Sequence, residues 1–234
     1  NCFADSGNEA AYNSVDASLW FFFAAYKLIE YTDDWNFVRE YLYDGMASII
    51  EAFMAGTRFD IAMDKEDGLI SAGNPDVQVT WMDAKVEGWV VTPRNGKAVE
   101  VNALWYNALR TMEAFAQEFN WPDEYGHLAE RVRKNFTAFW YPQGEYLYDV
   151  LGEQPDARLR PNQIFAVSLP HSPLSEDQQR AVVEVVRREL LTPLGPRTLA
   201  RGEKLYRGKI EGNQFSRDGA YHNGTVWPDR KSVV

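Results

Sequence analysis

The stretch VEVNALWYNALRTMEAFAQEF, residues 99–119, decides the class of fold. Its apolar residues recur every three or four positions, which is the period of one face of an α-helix. That face consists of Val101, Leu104, Trp105, Ala108, Met112 and Phe115. We therefore predict a long helix here. A loop rich in Gly and Pro precedes it, and only the short NWPDE link separates it from the next helical pattern.

The same period continues on both sides of this helix. Ser14 can cap a first helix and Asp34 a second, and Ser175 with Gln178 has the pattern of a capping box at the start of a sixth. A seventh helix is predicted to start near Asn223. The apolar face of helix one is Val15, Leu19, Phe22, Phe23, Tyr26 and Ile29, and that of helix two is Val38, Leu42, Met46, Ile49 and Phe53. Helix four has Leu128, Val132, Phe136 and Phe139, and helix six has Val182, Val185, Val186 and Leu190. A short fifth helix is predicted in NQIFAVSL.

The links between these helices alternate in length. Those joining helices one and two, three and four, and five and six are a few residues long, whereas the others run to roughly twenty to forty residues, a length that usually has a function. Short links make antiparallel hairpins, so the long loops should emerge on one side. This pattern predicts an all-α toroid of paired helices, with short strands in DGLI and VQVTWMD. A simple bundle or an α-solenoid is the alternative.

Composition excludes several classes of partner. The net charge of −10 argues against nucleic acid and against an anionic membrane surface, and no apolar run reaches the ~20 residues that span a bilayer. One cysteine and three histidines make a structural zinc site improbable, and DKEDG resembles a calcium loop only loosely. We expect no metal or cofactor, and a cytoplasmic location, because a single cysteine cannot form an internal disulfide.

Asp83 is the acidic residue of TWMDAKVEG, residues 80–88, where it follows a Trp and a Met. A carboxyl group on an aromatic surface is partly desolvated, and desolvation favours its protonated form, which is the form that a general acid needs. The alternative is a carboxylate that caps a helix or holds a loop amide. The stretch alone leaves both interpretations open.

Polar groups beside aromatic rings mark the other ends of the long loops. The candidate substrate contacts are Asp16, Trp81, Arg94, Glu100, Trp105, Asn162, Gln163, His222 and Trp227. Aromatic rings with a few polar groups suit an uncharged ligand that is flat and partly apolar, such as a sugar. Each polar residue could instead be a helix cap, and Glu100 would be favoured in a first turn by the helix dipole alone.

Five segments in this order resemble the amylo-α-1,6-glucosidase domain of glycogen debranching enzymes. They are YNSVDASLWF, TWMDA, TPRNGKAVEVNALWYNAL, RPNQIFAVSLP and YHNGTVWP, and the resemblance extends from about residue 12 to residue 228. It implies an (α/α)6 toroid and an inverting hydrolase that removes α-1,6-linked glucosyl stubs from glycogen or limit dextrin. Asp83 matches the general acid of the family.

The resemblance also implies what the chain lacks. An inverting enzyme needs a second carboxylate to activate water, and in the family that base lies well beyond the HNGTVWP motif. We therefore expect residues 1–228 to be a partial domain cut at both ends, residues 229–234 to be a tail that is not native, and the chain by itself to be inactive. Two alternatives remain: another (α/α)6 glycosidase of trehalase-like or oligosaccharide-glucosidase-like type, or a helical domain that binds glycans without catalysis.

Overall fold

The computed structural model describes residues 13–227, so the expectations for residues 12 and 228 and for the tail at 229–234 lie outside the described residues. The described chain is largely helical. Its helices are α1 (Ala17–Thr32), α2 (Trp35–Phe37), α3 (Tyr43–Ala55), α4 (Val99–Glu118), α5 (Gly126–Phe136), α6 (Phe165–Ser168), α7 (Glu176–Glu189) and α8 (Gln214–Ala220), with a π-helical turn at Val38–Leu42 and 3₁₀ turns at Thr137–Phe139 and Pro161–Ile164. Among these described helices, none combines the length and the apolar character needed to cross a membrane.

Helix α4 is the centre of the fold, as residues 99–119 predict. It is buried on nearly all sides, between α1, α5 and α6. Its polar side chains are paired with the preceding loop: Asn102 accepts from the Ile70 amide at 2.7 Å and donates to the Ile70 carbonyl at 3.0 Å. Trp105 donates its indole N–H to the Gly68 carbonyl at 3.0 Å. These bonds fasten the long loop to the start of α4.

The second predicted helix contains a π turn that shifts its buried face. Asp34 caps it as expected, accepting from the Phe37 amide at 3.0 Å. The Tyr43 amide then bonds to the Val38 carbonyl, five residues back instead of four. Met46 and Phe53 are buried as predicted, but Tyr43 and Ile50 are buried in place of the predicted Leu42 and Ile49, which are only partly buried.

The long loops contain short two-residue hairpins. The antiparallel pairs are β1 (Ala62–Met63) with β2 (Ile70–Ser71), β3 (Lys85–Val86) with β4 (Trp89–Val90), β5 (Lys97–Ala98) with β8 (Val150–Leu151), β6 (Trp140–Tyr141) with β7 (Tyr146–Leu147), and β9 (Leu191–Thr192) with β10 (Gly195–Pro196). The β5–β8 pair joins the loop before α4 to the loop before the Pro161–Ile164 turn.

The predicted strand in VQVTWMD is wrong. The Val79 carbonyl accepts from the Val15 amide at 2.8 Å, so this segment is bound to the start of α1 and not to a neighbouring strand. The strand predicted in DGLI is present at Ile70–Ser71, where it pairs with β1.

The predicted start of a seventh helix near Asn223 is also wrong within the described residues. Residues 223–227 form a turn and a single β-bridge between Arg197 and Val226. Gly224 has a φ of 127°, which no helix contains, and the Asn223 side chain donates to the Gly219 carbonyl at 3.0 Å. The helix of this region is α8, which ends before the YHNGTVWP motif.

The capping box predicted at Ser175 and Gln178 is confirmed at the start of α7.

Candidate functional site

A pocket of about 290 Å³ lies where six distant segments meet. These segments are the start of α1, the TWMD segment, the first turns of α4, the turn and helix at residues 161–165, the residues from Pro196 to Thr198, and the last described residues. Its lining residues are Asp16, Trp20, Trp81, Glu100, Leu104, Pro161, Asn162, Ile164, Phe165, Pro196, Thr198 and Trp227. The wall is mainly apolar and aromatic, and Asp16 and Glu100 contribute carboxylates to it.

Five residues predicted from the sequence line this pocket together: Asp16, Trp81, Glu100, Asn162 and Trp227. Asp16 is the residue immediately before α1, and its carboxylate accepts a hydrogen bond from Ser14 Oγ at 2.6 Å. The Trp81 indole N–H donates to Asn162 Oδ1 at 2.9 Å. The site therefore depends on contacts between segments about eighty residues apart in sequence.

His222 lies directly against two of these rings. Its imidazole makes an edge contact with Trp81, with ring centroids 5.3 Å apart, and its centroid is 6.3 Å from that of Trp227. Burial, together with the charges of Arg160 and Arg94, lowers the pKa of His222 to about 3. The imidazole is therefore neutral near physiological pH.

Two of the predicted contacts, Trp105 and Gln163, lie in the core and do not line this pocket. Trp105 is fully buried, and it follows Leu104, which lines the pocket; one residue along a helix turns the side chain by about 100°, into the core. Gln163 is also buried, accepting from the Leu147 amide and donating to the Arg160 carbonyl, both at 3.1 Å. The polar groups of both side chains form hydrogen bonds to the backbone, and these bonds stabilise the fold.

Asp83 differs from its expected setting. Its side chain is exposed, and within residues 13–227 its carboxylate makes no hydrogen bond or ion pair. Met82 is buried and Trp81 faces the pocket, so the chain turns Asp83 outward, and Asp83 does not line the pocket. The expected desolvation of this carboxyl group by aromatic contact is therefore not observed.

Four buried charges form a group that reaches the pocket wall at Glu100. Arg94 forms a bidentate pair with Glu100, with Nη2 2.6 Å from Oε2, and its Nε donates to Asp149 Oδ2 at 2.8 Å. Arg160 Nε lies 3.8 Å from the same Asp149 oxygen. We call Arg94, Glu100, Asp149 and Arg160 the buried charge cluster; it contains two cations and two anions, so its formal charge is zero.

The cluster controls the protonation of its members. Burial alone would lower the pKa of Arg94, but the charges of Asp149 and Glu100 outweigh it and raise this pKa. Burial raises the pKa of Glu100, against the opposing effect of the Arg94 charge and hydrogen bonds. Burial lowers the pKa of Arg160 to about 10, and the Asp149 charge limits that fall.

Arg160 also connects the site to the C-terminal motif. Its Nη1 donates to the carbonyl oxygens of Thr198, at 3.0 Å, and His222, and its Nη2 donates to Asn223 Oδ1 at 3.1 Å. The same guanidinium thus joins its own loop to the segment of Thr198 and to the segment of His222 and Asn223.

Sequence reasoning missed Trp20, Phe165 and Asp149 as members of the site. The Trp20 and Phe165 rings pack edge to face, 5.3 Å apart, in the pocket wall. A signal for both existed, because they follow the predicted residues Asp16 and Asn162 by four and three positions, the spacing that aligns helical side chains. Asp149 had no such signal, since it lies in the middle of a long loop.

The pocket can hold an uncharged ligand with apolar faces and hydroxyl groups. The indole faces suit the apolar side of such a ligand, and the Asp16 carboxylate can accept hydrogen bonds from hydroxyls. Among the described residues, no group of three or more His, Cys, Asp or Glu side chains could hold a metal ion.

Comparisons with known proteins agree with this description. A family model described as amylo-alpha-1,6-glucosidase matches residues 1–230. The glycogen debranching enzyme of Saccharomyces cerevisiae is 26% identical over 220 residues, which cover 74% of this chain and 14% of that enzyme. The chain thus spans a small part of the length of this relative.

Proposed function

The chain belongs to the amylo-alpha-1,6-glucosidase family, and from this membership we propose that it takes part in removing α-1,6-linked glucosyl residues from a branched α-glucan of the glycogen type. The proposal is carried by one observation: the family segments converge on a single pocket lined by tryptophans and carboxylates. We also propose that the helices are part of an (α/α)6 toroid and that the substrate is a cytoplasmic storage polysaccharide.

The pocket has a size that supports this substrate. Ligand pockets commonly measure ~300–1,000 Å³, and the present one, at about 290 Å³, lies at the small end of that range. A pocket of this size suits a single sugar ring at the end of a chain. Trp81, Trp227 and Trp20 offer the ring faces, and Asp16 offers a carboxylate to the hydroxyl groups.

Asp83 is proposed as the general acid that protonates the glycosidic oxygen. It is exposed and follows by two residues Trp81, which lines the pocket. A glucan whose terminal ring occupies the pocket would extend over this surface and exclude water from the carboxyl group. Catalytic groups often reach their working geometry only when substrate is bound, so exposure in the free chain is compatible with this role.

Inversion at the anomeric carbon would need a second carboxylate that activates water, roughly 6.5–9.5 Å from the acid. Asp16 and Glu100 are the carboxylates of the pocket wall, and Glu100 is bound on both oxygens by Arg94. We assign the base to neither residue, and Glu100 is proposed to support the wall instead.

The test is glucose release by the full-length protein from a branched limit dextrin and from trehalose. We expect release from the dextrin alone. Asp83→Asn keeps the shape but cannot donate a proton, so kcat on the dextrin should fall by ~10²–10⁴-fold. The matched control is Asp76→Asn, which removes another exposed carboxylate of the same loop and should leave kcat unchanged.

A substrate with an activated leaving group sharpens the assignment of Asp83. α-Glucosyl fluoride needs little protonation, so its hydrolysis should be nearly unaffected by Asp83→Asn. Equal losses on both substrates would assign Asp83 to binding or to structure. Glucose release from trehalose would favour the trehalase-like alternative, and binding of dextrin without any turnover would favour a glycan-binding domain.

A further inference from the structure

Asp149 lies behind the pocket and belongs to none of the motifs that identify the family segments. Its Oδ2 accepts from Arg94 Nε at 2.8 Å, and its Oδ1 accepts from Asn162 Nδ2 at 2.7 Å. Its backbone is fixed as well, because its amide donates to the Asp156 carbonyl at 2.8 Å and its carbonyl accepts from the Val99 amide at 3.1 Å. The carboxylate therefore has one defined position beside the first turn of α4.

The bond from Asn162 to Asp149 determines which way the Asn162 amide points. A carboxylate only accepts hydrogen bonds and an indole N–H only donates. Asn162 lies between the two, with its Nδ2 toward Asp149 and its Oδ1 toward the Trp81 indole at 2.9 Å. The reversed amide would set donor against donor and acceptor against acceptor, so it would lose both bonds. Asp149 thus fixes the amide, and the amide fixes the indole.

Trp81 connects this chain of hydrogen bonds to the pocket. It lines the pocket, packs edge-on against the neutral His222, and stands two residues before Asp83. We propose that Asp149 is a positioning residue, which holds the Trp81 ring in the pocket wall through the Asn162 amide. That Asp149 acts on Trp81 through Asn162 is argued from geometry alone. That this arrangement matters for sugar binding rests on the proposed function.

A purely structural role for Asp149 is the competing explanation, because removing one charge from the buried charge cluster would destabilise the chain in any case. The two explanations differ in what happens to the Trp81 indole. If Asp149 acts through Asn162, its loss must change the hydrogen bond of that one indole. If it only balances charge, the indole N–H keeps its partner.

The first measurement is the indole N–H spectrum of the 234-residue chain labelled with ¹⁵N-tryptophan. The chain has eight tryptophans, and Trp81→Phe identifies the Trp81 signal by its loss. We expect Asp149→Asn to move the Trp81 signal more than any other indole signal. Asn162→Leu is the second variant, since it removes the bridging amide and keeps all four buried charges, and it should move the same signal even if Asp149→Asn does not fold.

The second measurement is the affinity for isomaltose, the α-1,6-linked disaccharide, by calorimetric titration. Loss of one positioning hydrogen bond should raise Kd by about two- to tenfold in Asp149→Asn. In a Trp81→Phe background, which has no indole N–H to position, the same Asp149→Asn change should alter Kd by less than about twofold. This dependence on Trp81 would support the proposal that Asp149 acts through the Trp81 indole.

An unmoved Trp81 signal in Asp149→Asn or Asn162→Leu overturns the proposal. So does an undiminished loss of affinity in the Trp81→Phe background. If the parent chain binds no isomaltose, that result counts against the proposed function, and the Trp81 signal still decides whether Asp149 positions the indole.

Discussion

Two cations near the start of α4 each hold two carboxylates, and they differ chiefly in exposure to water. Arg94 binds Glu100 and Asp149, and the three side chains are 1–2% exposed. Lys97, three residues later, binds Asp64 at 2.7 Å and also Asp67, with side chains that are 19%, 33% and 27% exposed. The arrangement of charges is the same, but water reaches one group and is excluded from the other.

The difference shows what each arrangement can do. A buried pair has lost its hydration, so the loss of either partner leaves an unpaired charge in a medium that cannot solvate it. A partly exposed pair is solvated by water when a partner is removed, and its net contribution is small. The buried charge cluster can therefore hold a pocket wall rigidly, whereas the Lys97 group fastens a loop at the surface.

The largest effect is expected for Arg94→Met. It leaves Glu100 and Asp149 buried without their shared cation, and breaking such a pair typically costs ~3–5 kcal/mol of the free energy of unfolding. Denaturant unfolding of the parent and the variant measures it. Adding Glu100→Gln should recover part of the loss by removing one of the two anions. A loss below about 1 kcal/mol would mean that water reaches the cluster.

An intermediate effect is expected from His222, which is kept neutral chiefly by its burial and also by the charges of Arg160 and Arg94. Its folded-state pKa, about 3, is below the usual value of about 6.5, so between these values the unfolded chain binds the proton and the folded chain does not. Stability should therefore fall as pH drops from 6.5 toward 3, by about 1.4 kcal/mol per pH unit.

His222→Gln tests this effect. The variant should show a shallower fall in unfolding free energy than the parent between pH 6.5 and 4.5, with the exposed His127→Gln as the matched control. Parallel curves for parent and His222→Gln would show that the imidazole is hydrated in the folded chain.

The positions of the helices were largely predictable, because buried residues recur along them with the period of an α-helix. Residues 99–119 repeat their apolar positions with the helical period, and the observed helix ends within one residue of the predicted end. Hydrophobic periodicity does not report a hydrogen bond to the fifth residue, so the π turn at Val38–Leu42 was not visible. Nor does it report α8, which is short and is set by the Asn213 cap and not by an apolar face.

The site was predictable where residue type and chain position agree. Trp81, Asn162 and Trp227 belong to sequence motifs that combine aromatic and polar residues, and all three line the pocket. Asp149 and the exposure of Asp83 depend on how separate loops pack against each other, which no local pattern encodes. The burial of Trp105 in the core could not be predicted, because a Trp near a loop end has the same local pattern whether it faces a pocket or the core.

The smallest effect is expected for Lys97→Met. Exposed and partly exposed ion pairs contribute ~0.2–1 kcal/mol, so the free energy of unfolding should fall by no more than that amount at low salt. The hydrogen bond from Lys97 lowers the pKa of Asp64, so this contribution is present above the usual carboxyl pKa and is lost as pH falls through the lowered value. Salt at about 1 M shortens the screening length to ~3 Å and should shrink the difference between parent and variant, while the Arg94→Met difference persists. A Lys97→Met loss as large as that of Arg94→Met, and as insensitive to salt, would show that partial exposure does not separate the two groups.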